Sequence, residues 1–377
     1  MTIIQNCMIK VVHVVESFGG GVLFFLSNLI NGLGEDFRHV VVHGIRESTP
    51  PDFTRYFSDN VRFIRWKWTG RQISPLKDLK SSIFLYKVLK NIEFDVVHLH
   101  SSKAGFIGRL VSRLLGREMV TLYTPHGLSF LRLDVNKLQR KIYIFLEMLA
   151  NHFGGIVVAC SESEAEELKK RGISAIYVNN GINCTSIGKL VDEEIPEKGK
   201  FVVATIGRVT YQKNPYLFNR IAERFANDSQ VKFKWIGGGE LEYLLKAPNI
   251  EVTGWLSHEE TLAHAMSIDL YLSTSLWEGL PISGLEVMCL QKPLLLKKVT
   301  GNIDLVQHGK NGFLFETEDE AAKYIIRLKS ERSLLKVMGK ESFTRIQEEF
   351  SLNYMLKAYR RLYEKVAGGR SKRTIPH

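Results

Sequence analysis

The sequence predicts two tandem α/β domains, each built on a doubly wound parallel sheet. Short apolar runs alternate with amphipathic helical stretches throughout, the pattern of repeated βαβ units. At 377 residues the chain is too long for one ordinary core. A second series of strand-like runs opens at Phe201-Val-Val-Ala-Thr-Ile206, just after the charged, Pro- and Gly-bearing stretch Val191–Lys200.

In the first half the strand candidates are Ile9–Val15, His39–His43, Val61–Arg65, Phe94–Leu99, Met119–Thr124 and Gly155–Cys160. Helical patterns at Val22–Leu33, Leu76–Asn91, Gly105–Leu115, Lys137–Ala150 and Glu162–Arg171 separate most of them. The second series continues with Val231–Ile236, Ile250–Val252, Leu270–Ser273 and Pro293–Leu296, again interleaved with helices. The hinge is expected from Asn179-Asn-Gly-Ile-Asn183 through Val191–Lys200, giving domains 1–182 and 183–350. The basic terminal tract 368–377 is expected to be frayed.

Hydrophobic content of 45% with 24% charged residues describes a globular protein. No run of about 18 apolar residues is present to span a membrane. Met1–Lys10 lacks the basic and apolar regions of a signal peptide and reads as the lead-in to a strand. Cys7, Cys160, Cys184 and Cys289 are scattered, which fits a reduced cytosolic compartment and argues against structural zinc. Residues 1–190 hold 24 Lys and Arg against 16 Asp and Glu, a net +8; the remainder carries +3 of the total +11. A basic first half suits an anionic membrane surface or an anionic substrate. Nucleic acid is not expected, because no helix-turn-helix, zinc or RNA-binding aromatic signature accompanies the charge.

The most informative segment is Ser275-Leu-Trp-Glu-Gly-Leu-Pro-Ile-Ser-Gly-Leu-Glu286. Pro281 suits the first turn of a helix, which places Glu278 in the loop before it and Glu286 on its second turn. Two acceptors flanking a helix N-terminus match a sugar, a diphosphate and a ribose, the layout of a nucleotide sugar. The plainer reading is a loop and an ordinary amphipathic helix with a solvated Glu. Gly19, Gly20 and Gly21 end the first strand at a turn where backbone can approach an anion, though a tight turn alone needs the same glycines. They do not form G-x-G-x-x-G, and no Walker lysine follows. Gly207-Arg-Val-Thr-Tyr-Gln-Lys213 brings Arg208 and Lys213 off a strand's C-terminal end, where such sheets bind ligands; two solvated surface cations are the alternative. His126, in Thr124-Pro-His-Gly127, is held by residues that restrict the backbone, yet a lone His is more often structural. Gly238, within Ile236-Gly-Gly-Gly-Glu240, fits a nucleoside pocket or a bare turn. Gly301 and Asn302 precede a short helix whose N–H groups would extend an anion nest. The Glu-x-Glu pairs Glu162/Glu164 and Glu240/Glu242 fall at helix starts, where acids suit the dipole anyway. No Asp-x-Asp is present to carry a metal-bound diphosphate, so no metal is expected.

Together these segments, in this order, resemble the family 4 glycosyltransferases. The narrower resemblance is to bacterial transferases that extend lipid-linked surface glycans, carried by His98-Leu-His-Ser-Ser-Lys-Ala-Gly105 and Tyr123-Thr-Pro-His-Gly127. It implies the GT-B fold: two Rossmann-like domains facing a cleft, with a final helix near 352–366 crossing back to the first domain. It further implies Gly19–Gly21 near the donor phosphate and acceptor, and His126 beside the donor sugar. Arg208 and Lys213 would lie on the diphosphate, Glu278 against the sugar hydroxyls and Glu286 on the ribose, with Gly207, Gly238, Gly279, Leu280, Gly301 and Asn302 lining the donor. Many relatives carry Gly-Gly-x-x-Glu where this chain has Gly301-Asn-Ile-Asp304, which bears on the choice of sugar. The activity implied is retaining and metal-independent transfer from a UDP-hexose or UDP-N-acetylhexosamine, favoured over GDP-mannose, to a glycan or polyprenyl-diphosphate-linked acceptor. The enzyme would work in the cytoplasm at the inner face of the plasma membrane. A sugar-nucleotide epimerase of the same fold and a non-catalytic nucleotide-sugar-binding subunit are the rival readings.

Overall fold

A computed structural model of the chain describes residues 8–70, 72–188 and 199–371. The chain divides into two compact units: 1–130, 137–180 and 352–377 form the first, 131–136 and 181–351 the second.

The first unit alternates β1 (Ile9–Val15), α1 (Gly20–Leu33), β2 (Phe37–His43), β3 (Arg62–Arg65), α2 (Pro75–Lys90), β4 (Val96–His100), α3 (Ser102–Leu114), β5 (Thr121–Thr124), α4 (Lys137–Asn151), β6 (Ile156–Ala159), α5 (Glu162–Lys169) and β7 (Ala175–Tyr177). Its seven strands are all parallel in the order β3-β2-β1-β4-β5-β6-β7. The second unit runs α6 (Cys184–Gly188), β8 (Phe201–Ile206), α7 (Pro215–Glu223), β9 (Val231–Ile236), β10 (Ile250–Val252), α8 (His258–Met266), β11 (Leu270–Ser273), α9 (Ile282–Cys289), β12 (Leu294–Lys297), α10 (Asn302–Leu305), β13 (Gly312–Phe315), α11 (Glu318–Ser330) and α12 (Arg332–Glu349). Six parallel strands follow the order β10-β9-β8-β11-β12-β13. Central strands covered on both faces read as unbroken apolar runs, and every residue of β8 is buried.

Helix α13 (Leu352–Ser371) belongs to the first unit and packs on α1, β1 and β4. Met355, Tyr359 and Tyr363 are buried. Arg360 bonds Asp36 at 2.7 Å and the carbonyl of Leu33 at 2.7 Å, satisfying an acceptor at the end of α1. The helix runs past the expected Val366: residues 368–371 are helical rather than frayed, and 372–377 lie outside the described residues. So do residues 191–198 of the expected hinge and Cys7. Asn179–Asn183 is described; there Ile182 donates its N–H to Phe350 O at 2.9 Å and bridges Ser351, beside the point where the chain re-enters the first unit.

The cysteines are not all independent. Cys184 on α6 is disulfide-bonded to Cys289 at the end of α9, while Cys160 is a buried thiol. A separation of 105 residues leaves no spacing signature, so only the packing of α6 on α9 reveals the pair. The scattered spacing therefore concealed one bonded pair, with Cys160 left as a thiol. Reduction, or Cys184→Ser, is expected to lower unfolding free energy by about 2–4 kcal/mol, because the link closes a long loop in the unfolded chain. Urea titration with and without reductant, alongside thiol counting by mass spectrometry, checks this; no free-energy change on reduction would contradict it.

Candidate active site

In the second unit, loops leaving the C-terminal ends of β8, β9, β11 and β12 are tied together by backbone. Gly207 N–H donates to Ile236 O at 2.9 Å, and Val209 N–H to Gly238 O at 2.9 Å. Leu276 N–H donates to Gln212 O at 2.8 Å, and the Thr274 hydroxyl to Lys213 O at 2.8 Å. Two glycines permit the closest approaches. A Cβ on Gly237, at φ 133°, would sit 2.4 Å from Gly207 O; one on Gly301, at φ 82°, would sit 2.4 Å from Gly279 O and 2.9 Å from Glu278 Cβ.

This framework holds two carboxylates. Glu278, buried in the loop before α9, accepts from Lys213 Nζ at 2.7 Å and Gln212 Nε2 at 3.2 Å. Gln212 also donates to Trp277 O at 2.9 Å, fixing the loop that carries Glu278. Burial pulls the Lys213 ammonium down, but the facing Glu278, with Tyr271, more than offsets this and its pKa is raised. Arg208 is exposed and close enough to act on Lys213 by charge. Lys213 and Glu278, assigned by resemblance to different parts of a donor, thus hold each other here. Pro281 is the extended N-cap of α9 rather than part of its first turn, and Glu286 lies on the second turn, buried. His258 Nε2 meets Glu286 Oε1 at 2.7 Å. His258 opens α8, whose start is fixed by a reciprocal capping box between Ser257 and Glu260.

Asn302 corrects an expectation. Its backbone N–H is taken by Val299 O at 3.1 Å and its side-chain amide donates to Lys297 O at 3.0 Å in a fully buried position, so neither donor is available to an anion. Gly238 lies between two further ties: Gly239 N–H is held by Glu242 Oε1 at 2.7 Å and Gly237 N–H by Thr253 Oγ1 at 3.0 Å.

In the first unit, Gly19 is the extended N-cap of α1 and packs on Ser48, with a would-be Cβ 2.6 Å from Ser48 O. Just before it, buried Glu16 receives both arms of the Arg46 guanidinium. Phe25, one turn beyond Gly21, meets the His126 ring edge-on at 4.7 Å, which brings the glycine helix and His126 together. His126 itself sits at φ 56°. Glu164 fixes that turn, accepting from Gly127 N–H at 2.7 Å and Cys160 N–H at 2.8 Å. Sequence reasoning read Glu164 as a dipole acid and passed over Gln212 and His258 entirely. Only the capping box at Ser257 hinted that His258 begins a helix.

The residues match known proteins in two blocks: Glycosyltransferase Family 4 over residues 19–186 and Glycosyl transferases group 1 over residues 188–345. A UDP-Gal:alpha-D-GlcNAc-diphosphoundecaprenol alpha-1,3-galactosyltransferase of Escherichia coli is 30% identical over 336 residues, covering 81% of this chain and 84% of its own. Among solved structures, sucrose-phosphate synthase from Thermosynechococcus elongatus superimposes with TM-score 0.77 at 16% identity, over 96% of this chain and all of the other. HepE of Anabaena, solved with UDP and glucose, gives TM-score 0.75 at 18% identity, over 95% of this chain and all of the other.

The Glu286 carboxylate, bonded to the ring, raises the pKa of His258 above its ordinary 6.5 against the opposing pull of burial. The stabilisation is therefore fully present below about pH 6.5 and is lost as pH rises through the raised value. An NMR titration should place the His258 midpoint above 6.5 and show it falling in Glu286→Gln; an unmoved midpoint would mean the pair does not form in solution. With the fold, the buried Glu278 and Glu286 on their partners Lys213 and His258, and these matches in hand, the chain belongs to the family 4 glycosyltransferases and has their GT-B fold.

Proposed function

We propose that the protein transfers a sugar from a UDP-hexose or UDP-N-acetylhexosamine to a polyprenyl-diphosphate-linked acceptor in surface polysaccharide assembly, with retention at the anomeric carbon and without a metal ion. The observation that carries the reading is the cradle around Glu278: Lys213 at 2.7 Å, Arg208 nearby, Gly301 against the Gly279 backbone, and Glu286 on the second turn of the helix that follows. The donor and acceptor classes rest on the Escherichia coli relative, which uses UDP-Gal and a diphosphoundecaprenol-linked acceptor. Arg208 and Lys213 bind the diphosphate and stabilise the charge that develops as it departs. Glu278 accepts from the sugar hydroxyls, Glu286 from the ribose, and His126 serves the donor sugar. The acceptor hydroxyl attacks the face the diphosphate leaves, through an oxocarbenium-like transition state, and the departing oxygen takes its proton.

Calorimetry with UDP, GDP and their sugars in EDTA tests nucleotide choice and metal independence. Arg208→Ala and Lys213→Ala are expected to weaken nucleoside diphosphate by about 1.5–3 kcal/mol while leaving nucleoside binding nearly unchanged. Glu278→Gln should lose turnover and keep UDP affinity, whereas Glu286→Ala should weaken UDP itself. Like behaviour of the two glutamate variants toward bare UDP would refute the assignment, and isomerised sugar nucleotide from donor alone would indicate an epimerase.

The first unit is read as docking on the inner face of an anionic membrane through α4. Leu138, Ile142, Phe145 and Leu149, spaced on one helical face, are 68%, 41%, 61% and 36% exposed. The opposite face is anchored by Glu147, which accepts from Arg109 at 2.6 Å and from the Tyr123 hydroxyl at 3.2 Å in the core. The apolar face therefore points to solvent, unlike a core helix with a basic edge. Lys137 and Lys141 lie beside it, Arg140 falls on the Glu147 side, and Arg132, paired with Asp134 at 2.6 Å, precedes the helix. Each cation contributes about 1 kcal/mol near anionic headgroups. No helix among the described residues is long and apolar enough to cross a membrane. Lys137→Glu/Arg140→Glu/Lys141→Glu should abolish co-sedimentation with acidic liposomes at low salt; binding indifferent to lipid charge, salt and the reversal would point to an acceptor in solution.

A further inference from the structure

Five histidines crowd one face of the first sheet, and the proposed chemistry uses only the last of them. His39 Nδ1 lies 3.0 Å from His13 Nε2, His13 Nδ1 lies 3.1 Å from His100 Nε2, and His100 Nδ1 lies 3.0 Å from His126 Nε2. The file crosses the strands in sheet order, from β2 through β1 and β4 to the turn after β5. His98 stands beside it, committed at both nitrogens to Tyr363 Oη at 2.7 Å and Thr124 Oγ1 at 2.9 Å.

Proton counting restricts the file to two states. Burial pushes His13 and His100 well below the ordinary histidine range, His39 to about 4 and His126 to about 3, so the four rings are neutral at pH 7 with one N–H each. Three contacts need one proton apiece, and the fourth proton must fall at an end. Either every ring is protonated on Nδ1, leaving His126 Nδ1–H pointing out of the file, or every ring is protonated on Nε2, leaving His39 Nε2–H at the inner end. His39 Nε2 is buried and has no hydrogen-bond partner. An orphaned buried N–H is the rarer and costlier outcome, whereas a bare ring nitrogen there loses only an acceptor contact. His126 is half-buried, and its outward end can find water or ligand.

We propose that His100, His13 and His39 are positioning residues that fix His126 as the Nδ1–H tautomer, presenting a hydrogen-bond donor rather than an acceptor to the substrate. The role toward substrate rests on the glycosyltransferase reading above; the tautomer does not. The same accounting makes the far end a control point. A carboxylate at position 39 accepts from His13 Nε2–H, which turns each contact around in succession and leaves His126 Nδ1 bare.

The test is two-bond 15N–1H correlation on protein labelled with 15N-histidine, which separates protonated from bare ring nitrogens, assigned through single His→Gln variants. Wild type is expected to show His126, His100, His13 and His39 all protonated on Nδ1. His39→Asp, checked for folding by circular dichroism, should move the His126 proton to Nε2 from three rings away. His100→Gln should lower kcat about 10- to 100-fold, as loss of an orienting partner does, with the donor KM nearly unchanged. A wild-type spectrum with His126 protonated on Nε2 overturns the proposal without any variant. So does stoichiometric metal in the purified protein, since His13, His98 and His100 offer ligand atoms within 4.8 Å of one another and an ion there would displace the file. If the spectra agree but no sugar is transferred, the tautomer stands and the glycosyltransferase reading fails.

Discussion

Parallel pairing of β1 with β4, and of β8 with β11, is the constraint on which the rest of the molecule depends. At these two places adjacent strands are not consecutive in the chain, so the loops leaving them diverge and open a crevice at the strands' C-terminal ends. Most residues assigned to the donor lie on those loops or on their neighbours. Glu16 to Gly21 follows β1, Gly207 to Asn214 follows β8, and Thr274 to Pro281 follows β11. The close contacts of Gly237 and Gly301 then lock the loops of the second unit to one another rather than to the sheet alone.

Both units bury acids, five among the described residues, and each is matched by specific donors. Glu16 has the Arg46 guanidinium, Glu147 has Arg109, Glu164 has two backbone N–H groups, Glu278 has Lys213, and Glu286 has His258. A carboxylate stripped of its partner in such a place costs several kcal/mol, whereas an intact pair contributes little net stability. The pairs are therefore better understood as geometry than as glue. They hold loops and helices at fixed positions, and those around Glu278 and Glu286 use groups that a polar ligand can compete for.

Much of this was legible in the sequence, and the gaps have physical causes. Central strands such as β8 and β11 announce themselves because burial on both faces demands continuous apolar runs, and the spacing of Glu278 and Glu286 around a proline marked a loop and a helix. Strand β7, three partly exposed residues at a sheet edge, lacks such a run. The pairing of Cys184 with Cys289 and the bond of His258 to Glu286 join segments that only the folded second unit brings together. Asn302 was read as a ligand donor because it precedes a helix; its amide is spent on the carbonyl of Lys297, five residues back at the end of β12, which no local pattern reveals. His100 and His13 look like ordinary strand residues until sheet order aligns them with His126.

Helix α13 carries one more implication, for how the protein is made. Tyr363 closes the core of the first unit by bonding His98, across 265 residues of chain that include the whole second unit. During synthesis the first sheet therefore waits, with the face that α13 covers still open, while all of the second unit emerges and packs. The half of the protein made first is the half finished last, and its exposed strands depend on rapid folding of the second unit, or on a chaperone, until residues 352–371 arrive.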